Sequence, residues 1–274
     1  MNVTFAGNPA THSLPCAVFS MKDHLPFPPI EIFEVLTSTL DSIHQAAAAG
    51  APQWTTHIAL EQTKGRGQKN RSWWSPPGAG LWMSTLLRPE CDRRTWGGIA
   101  LIAGAAAKNA LAELGVEAVE LRWPNDLYAQ SRKLGGILAE SKDPAAGSWV
   151  SLGIGLNIDL QGADLDSRIP MELREQIICL SEAGPVEEKE PEKIAMAILH
   201  ELRPLYERLQ QGEPIREIVG DNPAAAGRKV RIEQPGRPLL QGTTRGLGKH
   251  GELVVEDAGG TIHEIVAGDV SWDT

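Results

Sequence analysis

Cysteine is scarce and scattered in this chain of 274 residues. Cys16, Cys91 and Cys179 are odd in number and far apart, so they form neither a disulfide framework nor a Cys/His metal spacing. Reduced thiols in a reducing compartment are expected. Positive charge is also in deficit: 26 Lys and Arg stand against 35 Asp and Glu, a net charge of -9. A broad basic field is therefore missing, which argues against a general nucleic-acid or anionic-membrane binder. Any anion site has to be local.

Long apolar runs are lacking too. The best, residues 99–107, is broken by Gly104 and falls well short of the ~20 residues a membrane helix needs. No Lys or Arg precedes Lys22, so a secretory signal is not expected and the chain reads as cytoplasmic. The sequence has no GxxxxGK[ST] loop, no nucleophile elbow and no HExxH, and its seven histidines are scattered. P-loop, serine-hydrolase and zinc-peptidase chemistry are excluded on that ground.

What is present is ordinary globular usage, 42% apolar and 22% charged, long enough for one large domain and a small one. Residues 1–30 lack periodicity and end in Pro26, Pro28 and Pro29, as an extension would. Residues 31–222 form the large unit. Within it, 37–50 reads as a helix closed by Gly50, and 55–61 and 81–87 read as strands. Ile99, Ile102, Ala103, Ala106, Ala110, Leu111 and Leu114 follow the helical period up to a stop at Gly115. Strands are expected at 116–123, 134–139 and 149–158, then a helix over 192–211 that Pro204 should kink or split. After a linker-like stretch at 220–227 the grammar changes. Residues 223–274 carry short strands at 228–233, 239–247, 252–257, 261–266 and 269–272. Five strands in so short a span indicate a small closed or half-closed β module.

Two stretches carry chemistry. In Gln62-Thr63-Lys64-Gly65-Arg66-Gly67-Gln68-Lys69-Asn70-Arg71-Ser72-Trp73-Trp74, four cations alternate with glycines within eight residues. Backbone N–H groups and Arg forks in such a loop suit a phosphate or carboxylate, and the tryptophan faces suit a flat ligand. A solvated basic turn beside core tryptophans fits the same composition. The second is Arg122-Trp123-Pro124-Asn125-Asp126, followed by Arg132-Lys133-Leu134-Gly135-Gly136. A lysine entering a Gly-Gly strand can neutralise charge on a phosphoryl transition state, and Asp126 can help hold Mg²⁺. A hairpin with an exposed lysine fits nearly as well. Gly153-Ile154-Gly155-Leu156-Asn157 reads as a buried glycine-rich strand. Gly246-Leu247-Gly248-Lys249-His250-Gly251 satisfies GxGxxG, but it lies between short strands with no helix after it, so it is read as a hairpin turn.

Taken in order, Gln62…Gly65-Arg66-Gly67…Arg71-Ser72-Trp73, Arg122-Trp123-Pro124-Asn125-Asp126, Lys133-Leu134-Gly135-Gly136-Ile137-Leu138-Ala139-Glu140 and Gly153-Ile154-Gly155-Leu156-Asn157 resemble biotin–protein ligase, in the form without an N-terminal DNA-binding domain. The resemblance runs from about residue 35 to the end. It implies an α+β fold, a mixed sheet backed by helices as in class II synthetases and biotin/lipoate ligases, with a C-terminal SH3-like β-barrel. It also implies ATP-dependent biotinylation of a carrier-domain lysine through biotinyl-5′-AMP. ATP and biotin would be substrates, Mg²⁺ would accompany ATP, and no tightly bound prosthetic group would be needed. The partner would be the biotin carboxyl carrier protein or the carrier domain of a biotin-dependent carboxylase, with no nucleic acid and no membrane, and the enzyme a monomer or homodimer.

By the same resemblance, Ser38, Thr39, Gln62, Gly65, Arg66, Gly136, Gly153 and Gly155 would hold biotin. Arg71, Trp73, Asn125, Asp126, Lys133 and Asn157 would hold ATP. Lys133, Arg66 and Arg71 would be the catalytic cations, and Asp126 a possible metal ligand. Three departures stand out. Gln68 and Asn70 replace an arginine and a glycine of the family loop, and Leu40 replaces an asparagine after Ser38-Thr39. Gln68 predicts a weaker hold on the intermediate. The readings that compete are a non-catalytic biotin or biotinyl-AMP binder, lipoate or octanoate transfer on the same fold, and an RNA-binding module.

Overall fold

The computed structural model describes residues 27–143, 147–160, 169, 171–220 and 226–272. The larger sheet holds seven strands in the order β1-β2-β3-β7-β6-β5-β4. They are β1 (Glu31–Leu36), β2 (Thr56–Gln62), β3 (Gly80–Leu87), β4 (Val119–Arg122), β5 (Asp126–Ala129), β6 (Arg132–Lys142) and β7 (Trp149–Asn157). Only β1 and β2 run parallel; the rest of the sheet is antiparallel. The described helices are α1 (Thr39–Ala48), α2 (Ile99–Glu113), α3 (Met171–Arg174), α4 (Leu180–Ala183), α5 (Pro191–Gln210) and α6 (Ile215–Val219).

Burial explains the layers. Helix α2 is alanine-rich and buried almost all round from Ile99 to Ala107, because it lies between the sheet and α5. Gly104, which breaks the apolar run, is there for packing: a Cβ at that position would meet Leu121 at 2.4 Å. On the opposite face, α1 buries Ile43 and Ala47 against Leu86 and Trp149. Helix α5 remains one element through Pro204, so the proline does not split it. Leu202 and Tyr206 anchor it in the core on both sides, and that burial offsets the ~3 kcal/mol that an interior proline costs.

Two strands went unread in the sequence. Strand β1 occupies 31–36, and β5 begins at Asp126, just after the cis Trp123-Pro124 bond. Strand β4 is shorter than expected, starting at Val119. Residues 1–26 and 221–225 lie outside the described residues, so most of the expected extension and linker lies there too. Phe27, the first described residue, packs edge-on against Trp54 at 5.5 Å. Among the described residues no helix is long and apolar enough to cross a membrane.

The C-terminal sheet is antiparallel in the order β11-β10-β9-β8-β12, from β8 (Ala226–Glu233), β9 (Leu240–Leu247), β10 (Leu253–Asp257), β11 (Ile262–Ile265) and β12 (Asp269–Trp272). All five expected strands are present. The GxGxxG stretch ends β9 and turns into β10, and it has a mechanical use. The Trp123 indole N–H donates to the Gly251 carbonyl at 2.9 Å, and the Ile215 N–H donates to the Lys249 carbonyl at 2.9 Å. The turn thus docks the small sheet onto the large unit.

Candidate functional site

A cavity of about 380 Å³ opens over the middle of the large sheet, within the range of small-ligand pockets. Strands β6 and β7 make its floor. Their register sets Gly136 directly opposite Gly155, so the floor has no side chains there. The Trp73 ring lies on that bare patch: a Cβ on Gly155 would meet its Nε1 at 2.7 Å, and one on Gly136 would meet its ring at 3.2 Å. The Trp73 indole N–H is buried and has no partner among the described residues. A Cβ on Gly153 would meet Leu40 at 3.1 Å, so Leu40 closes the neighbouring part of the floor.

The N-terminus of α1 frames one end. Gln62 accepts from the Thr39 backbone N–H at 2.8 Å and its hydroxyl at 3.2 Å, and donates to Ser75 Oγ at 2.9 Å. Thr39 Oγ1 also meets Ser84 Oγ at 2.7 Å. Thr39 and Gln62 are therefore a braced polar frame. Ser38 Oγ, buried on the same wall, has no partner among the described residues and is the free hydroxyl of this end.

At the centre, Lys133 Nζ sits 2.8 Å from Asp126 Oδ1 and 5.3 Å from the Trp73 ring centroid. Its side chain is 29% exposed, so it is a paired groove lysine and not the exposed hairpin residue that the sequence left open. The Lys133 backbone is gripped as well: its N–H donates to the Gln176 carbonyl at 2.7 Å, and its carbonyl accepts from the Ile178 N–H at 2.9 Å. Asn157 donates to the Ile178 carbonyl at 3.1 Å, and Asn125 to the Ile137 carbonyl at 2.5 Å. Both amides brace the backbone around Lys133 from within the pocket wall.

The cationic loop arrives already paired. Arg66 donates through Nε to Glu140 Oε1 at 3.2 Å and through a terminal nitrogen to Glu140 Oε2 at 2.7 Å, and it also bonds Asp41. Burial alone would lower its pKa, but these two carboxylates raise it. Glu140 is held below the usual carboxylate range by its hydrogen bond from His44 and by Arg66. Lys69, in a left-handed backbone conformation (φ 55°), meets Asp269 of β12 at 2.5 Å, and Arg71 meets the same carboxylate at 2.8 Å. Asp269 is lowered by Lys69 first and Arg71 second. The loop is thereby latched to the C-terminal sheet.

Of the residues singled out in the sequence, Ser38, Thr39, Gln62, Arg66, Arg71, Trp73, Asn125, Asp126, Lys133, Gly136, Gly153, Gly155 and Asn157 all line the cavity. Gly65 does not. A Cβ there would strike the Trp73 carbonyl at 2.4 Å, so this glycine serves loop closure. Tyr128, Leu173, Gln176 and Ile177 also line the cavity and were not read. Tyr128 lies two residues after Asp126 on β5 and so shares its face, which becomes a signal only once that strand is known. The other three come from a segment that folds back over Lys133, and no pattern in the sequence marks it. No group of three or more His, Cys, Asp or Glu converges as a metal site among the described residues. Among the described residues Asp126 is the carboxylate paired with Lys133, so a cation here would be carried mainly by ligand oxygens.

Two family models match the chain: the Biotin/lipoate A/B protein ligase family over residues 32–157 and the Biotin protein ligase C terminal domain over residues 226–272. The biotin–[acetyl-CoA-carboxylase] ligase of Mycobacterium tuberculosis is 31% identical over 241 residues, covering 85% of each protein. The bifunctional ligase/repressor BirA of Bacillus subtilis is 34% identical over 152 residues, 55% of this chain and 46% of that protein. The chain thus spans about half the length of the latter relative. Among solved structures, the biotin protein ligase of Aquifex aeolicus in complex with biotin and ATP aligns with a TM-score of 0.74 at 25% identity, covering 90% of this chain and 99% of that one.

Proposed function

The chain belongs to the biotin–protein ligase family, and from that premise we propose that it joins biotin to a carrier-domain lysine at the expense of ATP. Two steps make up the reaction. A biotin carboxylate oxygen attacks the α-phosphorus of ATP, expelling pyrophosphate and leaving biotinyl-5′-AMP. The carrier lysine amine then attacks the acyl carbon, loses a proton, and expels AMP.

Neither step needs a nucleophile from the enzyme, and the pocket is built accordingly: it positions and neutralises. One observation carries the reading. Lys133, pinned by Asp126 at 2.8 Å, lines one cavity together with the free Ser38 hydroxyl and the cations Arg66 and Arg71. Its ammonium would face the negative charge that builds as carboxylate and phosphate meet. Ser38 would bind the polar ring of biotin inside the Thr39–Gln62 frame. Trp73, seated on the bare Gly136–Gly155 floor, would offer its free face to the flat parts of the intermediate, with Arg71 meeting phosphate. Mg²⁺ would enter with ATP, held by phosphate oxygens and at most Asp126. The Aquifex structure, bound to biotin and ATP, supports this pair of substrates.

The test is incubation with biotin, MgATP and a biotin carrier domain, read by the intact mass of the carrier. An ATP-dependent gain of one biotin is expected. Pyrophosphate release without transfer, or an equal gain with lipoate, would replace the reading.

A further inference from the structure

Arg66 reaches the pocket through a chain of contacts that begins behind the wall, on α1. Asp41 and His44 lie one turn apart on this helix, and each approaches a different partner. Asp41 bonds Arg66 directly, whereas His44 Nε2 lies 3.1 Å from Glu140 Oε2. On the other side of the imidazole, Trp149 Nε1 lies 3.0 Å from His44 Nδ1. An indole nitrogen can only donate, so Nδ1 must present its lone pair. The ring proton then sits on Nε2, aimed at Glu140. Ser151 Oγ, 3.3 Å from Nδ1, can add a second donor to the same lone pair.

The consequence reaches the pocket. Glu140 Oε2 takes both the His44 N–H and an Arg66 N–H, while Oε1 takes Arg66 Nε at 3.2 Å. A carboxylate oriented by a fixed donor holds a guanidinium fork in one plane, as outer partners do for metal-bound ligands. The His44 side chain is 13% exposed, so water does not readily replace it.

We infer that His44 is a positioning residue: locked by Trp149 as the neutral Nε2–H tautomer, it orients Glu140, which sets Arg66 against the biotin end of the pocket. The assignment rests on the ligase reading above. It goes beyond the motifs because neither His44 nor Trp149 belongs to one, and neither lines the cavity.

His44→Leu keeps the bulk and removes both hydrogen bonds. The KM for biotin should rise roughly tenfold, equivalent to about 1.4 kcal/mol, with the KM for ATP unchanged within about twofold. His44→Gln should recover most of the loss, since its amide can donate to Glu140 and accept from Trp149. If the leucine variant does not fold, Trp149→Phe carries the test. It keeps an aromatic core residue, frees the tautomer, and should raise the biotin KM in the same direction. Nitrogen NMR of the parent's histidines provides a readout independent of turnover, and His44 should show a bare Nδ1 and a protonated Nε2. A parent that labels its carrier while both His44 variants match its biotin KM would overturn the positioning role. So would the opposite tautomer. A parent that labels no carrier would instead bring down the ligase reading, and this inference with it.

Discussion

Lys133→Met is the most informative single change, because the structure separates its effect on catalysis from its effect on stability. In the parent, Nζ is 2.8 Å from Asp126, with side-chain exposures of 29% and 27%. A hydrogen bond between charged groups is worth about 1.5–3 kcal/mol when dry. With roughly a third of each group open to solvent, screening reduces this to about 1 kcal/mol. The contact with the Trp73 ring at 5.3 Å adds at most ~0.5–1 kcal/mol. Lys133→Met should therefore lower unfolding stability by only about 1–2 kcal/mol. The adenylation rate should fall far more, by ~10²–10³, the usual cost of losing one preorganised charge at a transition state. Asp126 contributes to both effects, because without its lysine it presents an unpaired carboxylate to the incoming phosphates. Asp126→Asn combined with Lys133→Met should return most of the stability and little of the rate. Single-turnover pyrophosphate release and urea unfolding measure the two quantities on the same samples. A Lys133→Met enzyme that forms adenylate at the parent rate would refute the reasoning, as would a double variant that regained it.

Three further outcomes follow from the paired cations. Asp269→Asn should scarcely move the melting temperature, since its partners Lys69 and Arg71 are well exposed. It should tighten an ATP analogue by about two- to fivefold at low salt, an advantage lost at high salt; weaker binding would mean that Asp269 shapes the loop and does not compete with phosphate. Gln68→Arg should slow escape of biotinyl-AMP, roughly tenfold for each 1.4 kcal/mol regained, because Lys69 is committed to Asp269 at 2.5 Å and does not stand in for the missing arginine; equal off-rates in parent and variant would point to another clamp. Glu140 has a folded pKa below its ordinary value, held there first by His44, so its stabilisation is complete above the unfolded pKa of about 4.3 and is lost as pH falls through the folded one. Glu140→Gln should flatten that acid limb of the melting-temperature profile, and an unchanged limb would deny the linkage.

Elements whose burial repeats along the chain were readable in advance. Helix α2 announced itself by period, and the five C-terminal strands by turn residues at short spacing. The two missed strands had no such signal. Strand β1 lies at the sheet edge and is largely exposed, so it shows no clean alternation. Strand β5 is four residues long and follows Pro124, where the chain reads as a turn. Pro204 shows the converse: the local cost of a proline was legible, whereas the core contacts that outweigh it are tertiary and leave no mark in the helix's own sequence.

The candidate site shows the same division. The sequence displayed the cations, and their identity was enough to suggest an anion site in an acidic chain. It did not display how those cations pair, which the fold decides. Arg66 is held by Asp41 and Glu140, Lys133 by Asp126, and Lys69 and Arg71 by Asp269 of the other sheet. This pairing changes the electrostatic argument. An array of free cations would attract any polyanion, nucleic acid included. Cations already held by carboxylates present little net field, so a ligand gains only where its oxygens match the fixed N–H directions. The net charge of -9 and a cation-rich pocket are therefore compatible. The acidic residues that set the chain's overall sign include those that aim its few functional cations.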